Sequence, residues 1–230
     1  MVAAGVAVMG FAPHSGWAAV VVLGGSHTDA RVLARSRVEM ADHRAPESKQ
    51  PYHAVETLGV EEAARRLDSY MAVAEGMAYA AIQALAEDLS GRGYRVTSVG
   101  VLESSGRKGS SLASILASHA LIHAADGDHF RKALAAAAER SGLAVSRVRA
   151  LDLEAQAEAR LGRPVPRLLR EAVNELGRQV GPPWGADQRM AALLAWLPPR
   201  PGVAGRPPNK GMKMTKPEQA MELRSLSVWC

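Results

Sequence analysis

Gly10-Phe11-Ala12-Pro13-His14-Ser15-Gly16-Trp17 lies between two apolar runs, Gly5–Met9 and Ala18–Leu23. Val20, Val21 and Val22 give the second run strong β character, and the first is short enough for a buried strand. Pro13, Ser15 and Gly16 are turn-forming residues, so the chain is expected to fold back here and set two strands side by side. Gly24-Gly25-Ser26 makes the next turn. Arg31–Met40 follows with partial alternation and reads as a third, half-exposed strand. Three strands joined by short connections form an antiparallel meander.

Outward from the meander the period changes. Asp42–Tyr52 is polar, contains Pro46 and Pro51, and reads as a loop or insertion. Over Val60–Ser90 apolar residues recur at three- and four-residue steps, which predicts a long amphipathic helix. Gly76 inside it marks a kink or a close packing contact. Gly91 and Gly93 end it. Tyr94–Leu102 is a fourth strand with Glu103 at its end. Ser104–Ser110 is a Gly/Ser loop. A helix is expected from Leu112 to Arg140, with a break near Asp126-Gly127-Asp128, then a fifth strand, Leu143–Val148. Asp152–Gln179 is helical or mixed, and Gln188–Leu197 is a final amphipathic helix. A meander followed by crossover helices puts the first and fourth strands side by side. The expected fold is α/β, a ribonuclease H-like mixed five-stranded sheet flanked by helices.

Composition narrows the class. Of 230 residues, 47% are hydrophobic but only 4% aromatic, so Ala, Val and Leu must fill the core. Small side chains suit close helix–sheet packing. The net charge of +5 is concentrated beyond Pro198, where Arg200, Arg206, Lys210, Lys213, Lys216 and Arg224 face only Glu218 and Glu222. The body is close to neutral, so any nucleic-acid face must be local. Residues 1–197 are read as the folded domain and 198–230 as a disordered Pro/Lys-containing tail. Cys230 is the one cysteine. It excludes a disulfide framework and a thiolate zinc site, and fits a reducing cytoplasm. No apolar run reaches the roughly 18 residues of a membrane helix.

The residues carry a more pointed comparison. Gly10-Phe11-Ala12-Pro13-His14 with Ser15-Gly16-Trp17 resembles the Gly-x-Asp-Pro-Gly…Thr-Gly-Trp start of the RuvC-type Holliday junction resolvases. Val99-Gly100-Val101-Leu102-Glu103 resembles their fourth strand, which ends on a catalytic Glu. Ala186-Asp187 with Met190–Ala195 resembles their final helix, whose start carries catalytic Asp residues. The resemblance spans about residues 4–197. It implies a bacterial-type domain acting on duplex or branched nucleic acid with Mg or Mn, with Glu103 and Asp187 as catalytic metal ligands. A homodimer is left open.

Two departures set the chemistry. The first-strand Asp of the family falls on Ala12, and the second acid of the final helix falls on Trp184. Two-metal phosphodiester chemistry places divalent ions roughly 3.5–4 Å apart. Their repulsion must be offset by a bridging carboxylate, the role the resemblance assigns to the position of Ala12. One Glu and one Asp suffice for a weakly held, hydrated magnesium ion. The expectation is therefore a catalytically degenerate domain that binds nucleic acid or a nucleic-acid-processing partner. The alternative is a divalent-metal nuclease using Glu103, Asp187 and a histidine, with His14 the nearest substitute and better suited to manganese or zinc than to magnesium. A nucleotide-binding protein of the actin and sugar-kinase type would need a second phosphate hairpin, which the sequence lacks.

Three further groups carry weaker signals. Arg107 and Lys108 follow the fourth strand and are candidates to contact a phosphate backbone. The order Lys108-Gly109-Ser110 excludes a P-loop. His119 and His123 share one helix face. They form either a polar stripe beside Leu116 and Ala120 or, with Asp126, Asp128 or His129, a three-ligand metal site. Trp17 reads as core, Trp184 as filling between helix and sheet, and Arg163, Arg167, Arg170 and Arg178 as a solvated helix face.

Overall fold

A computed structural model of the protein describes residues 4–25, 29–103, 110–153, 155–156 and 165–197. Arg107, Lys108, Arg163 and the tail 198–230 lie outside the described residues, as do the side chains of Arg167 and Arg170.

Five strands, β1 (Gly5–His14), β2 (Trp17–Gly24), β3 (Arg31–Glu39), β4 (Tyr94–Glu103) and β5 (Ala144–Arg149), form one sheet in the order β3-β2-β1-β4-β5. β1 is antiparallel to β2 and parallel to β4, β2 is antiparallel to β3, and β4 is parallel to β5. This is the ribonuclease H-like arrangement expected from the sequence. The stretch 10–17 is mostly strand rather than turn. The ladder runs from Ala7↔Gly24 to His14↔Trp17, so only Ser15 and Gly16 remain as a two-residue hairpin, with Gly16 at φ +82°. Pro13 is tolerated because the partner pairs between β1 and β4 stop at Phe11↔Val101, before its missing N–H would matter.

Helices cover both faces. On one lie α2 (Val60–Gly91) and α4 (His119–Arg140), preceded respectively by the short α1 (Pro51–Ala54) and α3 (Leu112–Leu116). α2 buries Ala63, Leu67, Ala74, Ala78, Ile82 and Leu89 in the periodic stripe its sequence predicts. It runs on through Gly76, where an added Cβ would meet nothing within 4 Å, so this glycine makes no close contact. Met9, Phe11, Val20, Val99, Val101, Phe130 and Leu134 fill the core on this side.

The other face is closed by α5 (Val165–Val180) and α6 (Ala186–Trp196). Ala12, Ala19 and Val21 of the sheet meet Ala191, Ala192 and Ala195 of α6 and Val173 and Leu176 of α5. Trp184 packs here as expected, its indole against the backbone of Gly177. Arg35 of β3 holds the preceding loop by donating to the carbonyls of Gly181 (2.6 Å) and Pro183 (2.7 Å). The described part of α5 otherwise fits the solvated-face reading, with exposed Arg178 paired to Glu175 at 2.5 Å.

The helix expected over Leu112–Arg140 does break, but at Ala117-Ser118, between α3 and α4. It continues through Asp126-Gly127-Asp128. The carboxylate of Asp126 is committed to α1, where it accepts from the Tyr52 amide, so it does not compete for the helix backbone. One turn on, His129 is 2% exposed and its Nε2 has no hydrogen-bond partner. Burial pushes this imidazole below its usual 6.5, against smaller opposing contributions from the Tyr70 backbone and Asp126. The folded ring therefore stays neutral where the unfolded ring begins to protonate. Stability is undiminished above pH 6.5 and falls as pH drops below it, until the folded ring itself takes a proton. Urea midpoints measured above and below that pH should show a smaller drop in His129→Gln than in the wild type.

Candidate functional site

Strand alternation decides which residues share a face. On β1, Ala7, Met9 and Phe11 face α2 and α4, whereas Ala12 packs under α6. Gly10 faces α6 as well, since a Cβ there would lie 1.9 Å from the Ala191 carbonyl oxygen. His14 is the next residue on that face and the first beyond the cover of α6. Asp187 sits in the first turn of α6, where a carboxylate suits the positive helix end. The strand end and the helix start meet there. His14 Nε2 lies 2.9 Å from Asp187 Oδ1, with both side chains about two-fifths exposed (43% and 37%).

The contact extends across the sheet end. The His14 ring stacks on Trp17, centroids 4.4 Å apart and 11° between planes. The Arg37 guanidinium carbon lies 4.0 Å over the Trp17 ring, and the same guanidinium pairs with Glu39. Trp17 is thus half core and half platform: one side joins the cluster of Ala12, Ala19 and Val21, the other carries the ladder from Asp187 to Arg37.

The pleat sets Glu103 on the other face of the sheet from this pair. Val99 and Val101 face α2 and α4, while Gly100 and Leu102 face α6. The pleat assigns Glu103 to the α2/α4 side, level with its β5 partner Arg149. The Arg149 guanidinium is held further protonated by Asp152 at 2.6 Å, with a smaller contribution from Glu103. A register difference of one residue exchanges the two faces of a strand. Leu102, not Glu103, therefore shares the face of Ala12 and α6. Ala12 itself is 3% exposed and packs in the apolar cluster under α6.

No family model matches the chain, and no curated protein sequence matches it. Solved structures similar to it include two of RuvC from Thermus thermophilus. The one in complex with a Holliday junction substrate is 15% identical, with a TM-score of 0.47 over 84% of this chain and 91% of that one. The other is 16% identical, with a TM-score of 0.44 over 83% and 92%.

A second cluster gathers at the start of α4. His119 and His123 are joined there by His53 of α1, a residue with no motif or spacing around it to single it out in sequence. Of the third ligands considered from sequence, Asp126 turns instead to hold His53, Asp128 lies 3.6 Å from Arg131, and His129 is buried beside Tyr52 and Phe130. Among the described residues, no helix is long and apolar enough to cross a membrane.

Proposed function

We propose that the chain is a catalytically degenerate RuvC-like domain that binds duplex or branched nucleic acid without cleaving it. One observation carries this reading. At the position of the metal-bridging acid stands Ala12, sealed under α6, and the remaining acid of that face, Asp187, is engaged by a histidine. A carboxylate held by an imidazole is less available to a hydrated magnesium ion, which takes oxygen ligands. Beside it the exposed Arg37 guanidinium, held over the partly buried Trp17 ring, is of the kind that contacts phosphates. Arg107 and Lys108, which follow β4 in the sequence, are the proposed phosphate contacts.

Fluorescence anisotropy with a labelled four-way junction and a matched duplex tests this. Binding should weaken steeply as salt rises, because phosphate contacts release counterions. No strand should be cut in Mg2+ or Mn2+. Absence of salt-dependent binding to either probe removes the nucleic-acid reading and leaves a protein partner.

The 2.9 Å approach of His14 to Asp187 also favours a second reading, a nuclease in which the histidine replaces the lost acid on a metal ion such as Mn2+. The pleat counts against Glu103 as the third ligand. Cleavage in Mn2+ that Asp187→Asn and Glu103→Gln both abolish would establish this alternative.

A further inference from the structure

We propose that His53, His119 and His123 form a three-histidine site for a single divalent transition-metal ion of the zinc type, with the buried Asp126 as the carboxylate that orients it. One ligand atom from each histidine lies within 4.8 Å of the others. His119 Nε2 and His123 Nε2 are 3.0 Å apart. Two zinc–nitrogen bonds of 2.0–2.1 Å at a tetrahedral angle set nitrogens about 3.3 Å apart, so this pair is already close to ligand spacing. The rings of His53 and His123 are 4.4 Å apart, and those of His53 and His119 are 5.4 Å apart.

The second observation is the support behind the ligands. Asp126 is 2% exposed, a costly place for a carboxylate unless both oxygens are used. Oδ1 accepts from the Tyr52 amide at 2.7 Å, and Oδ2 lies 2.5 Å from His53 Nδ1. A carboxylate at Nδ1 holds the proton there and leaves Nε2 with its lone pair free, the arrangement that orients metal-bound histidines. His119 and His123 stand on the first two turns of α4.

The donor set fixes the ion class. Three imidazoles and no thiolate suit zinc, copper, nickel or cobalt rather than magnesium or calcium. Three protein ligands leave a fourth tetrahedral position, and exposure of His119 and His123 opens it to water. The site lies on the α2/α4 side of the sheet, across from His14 and Asp187, and does not depend on the nucleic-acid reading.

Calorimetric titration of the chelator-treated full chain with Zn2+, without nucleic acid, tests this. One ion per chain is expected, and the Co2+ form should show the strong visible bands of tetrahedral coordination. The surface substitutions His119→Ala and His123→Ala should each weaken Zn2+ binding at least 100-fold while leaving circular dichroism unchanged. Asp126→Asn, acting through His53, should weaken it about 10- to 100-fold. Absence of stoichiometric binding overturns the proposal. So does binding that survives in both histidine variants, or that is lost in His14→Ala instead.

Discussion

Gly10→Ala is expected to lower the free energy of unfolding by about 3 kcal/mol or more. A Cβ at Gly10 would lie 1.9 Å from the carbonyl oxygen of Ala191, 2.6 Å from the amide nitrogen of Ala195 and 2.9 Å from the carbonyl carbon of Ala191. All three atoms belong to the backbone of α6, so no rotamer change relieves the overlap. Either α6 lifts off the sheet or β1 moves away from it. Both open the seam where Ala12 and Ala19 meet Ala191, Ala192 and Ala195, and both separate Asp187 from His14. Gly76→Ala is the internal control. Nothing lies within 4 Å of a Cβ there, so alanine should stabilise α2 by about 0.5–1 kcal/mol through helix propensity alone. Urea unfolding followed by circular dichroism gives both numbers. A Gly10→Ala protein within 1 kcal/mol of wild type would show that α6 does not pack this closely.

That glycine also marks the limit of what the sequence discloses. Strand order was legible because its determinants are local: the Val20–Val22 run, the glycines after α2 and the three- and four-residue rhythm of Val60–Ser90. The closeness of α6 was legible in kind, since a chain with 4% aromatics must pack alanines and glycines. What the pattern leaves out are facts about pairs. Whether Glu103 or Leu102 shares the face of Ala12 depends on one residue of register, and β4 carries an irregularity opposite Ala7/Val8 that no composition reports. The meeting of His14 with Asp187 joins residues 173 positions apart. His53 stands one residue past the Asp42–Tyr52 segment read as a loop or insertion, and only the fold of α1 onto α4 gives it the company of His119 and His123. Asp126 looked like a helix breaker because its satisfaction comes from residues 73 and 74 positions away.

Ala12→Asp, which returns a carboxylate to the position where the resemblance expects one, should destabilise the protein by several kcal/mol and confer no cleavage. Ala12 is 3% exposed and packs among alanines, Val21, Val173 and Leu176. Asp187, at the end of the same seam, is a carboxylate too. A buried carboxylate without a partner must stay protonated or pull the helix away, and both outcomes reduce stability. Ala12→Asn separates the two causes, because it adds the same volume without a charge. If volume alone matters, the two variants unfold at similar urea concentrations. If charge matters, the aspartate variant is weaker near neutral pH and approaches the asparagine variant as acid protonates it. Junction cleavage in Mg2+ and Mn2+ is the functional readout. An Ala12→Asp protein as stable as wild type that cuts a junction in a metal-dependent manner would mean that a carboxylate at this position suffices for cleavage. The expected result, instability without cleavage, means that the seam has closed around the alanine. In that case the close fit of β1, α6 and the His14–Asp187 contact excludes the added carboxylate, and one substitution does not build a metal site.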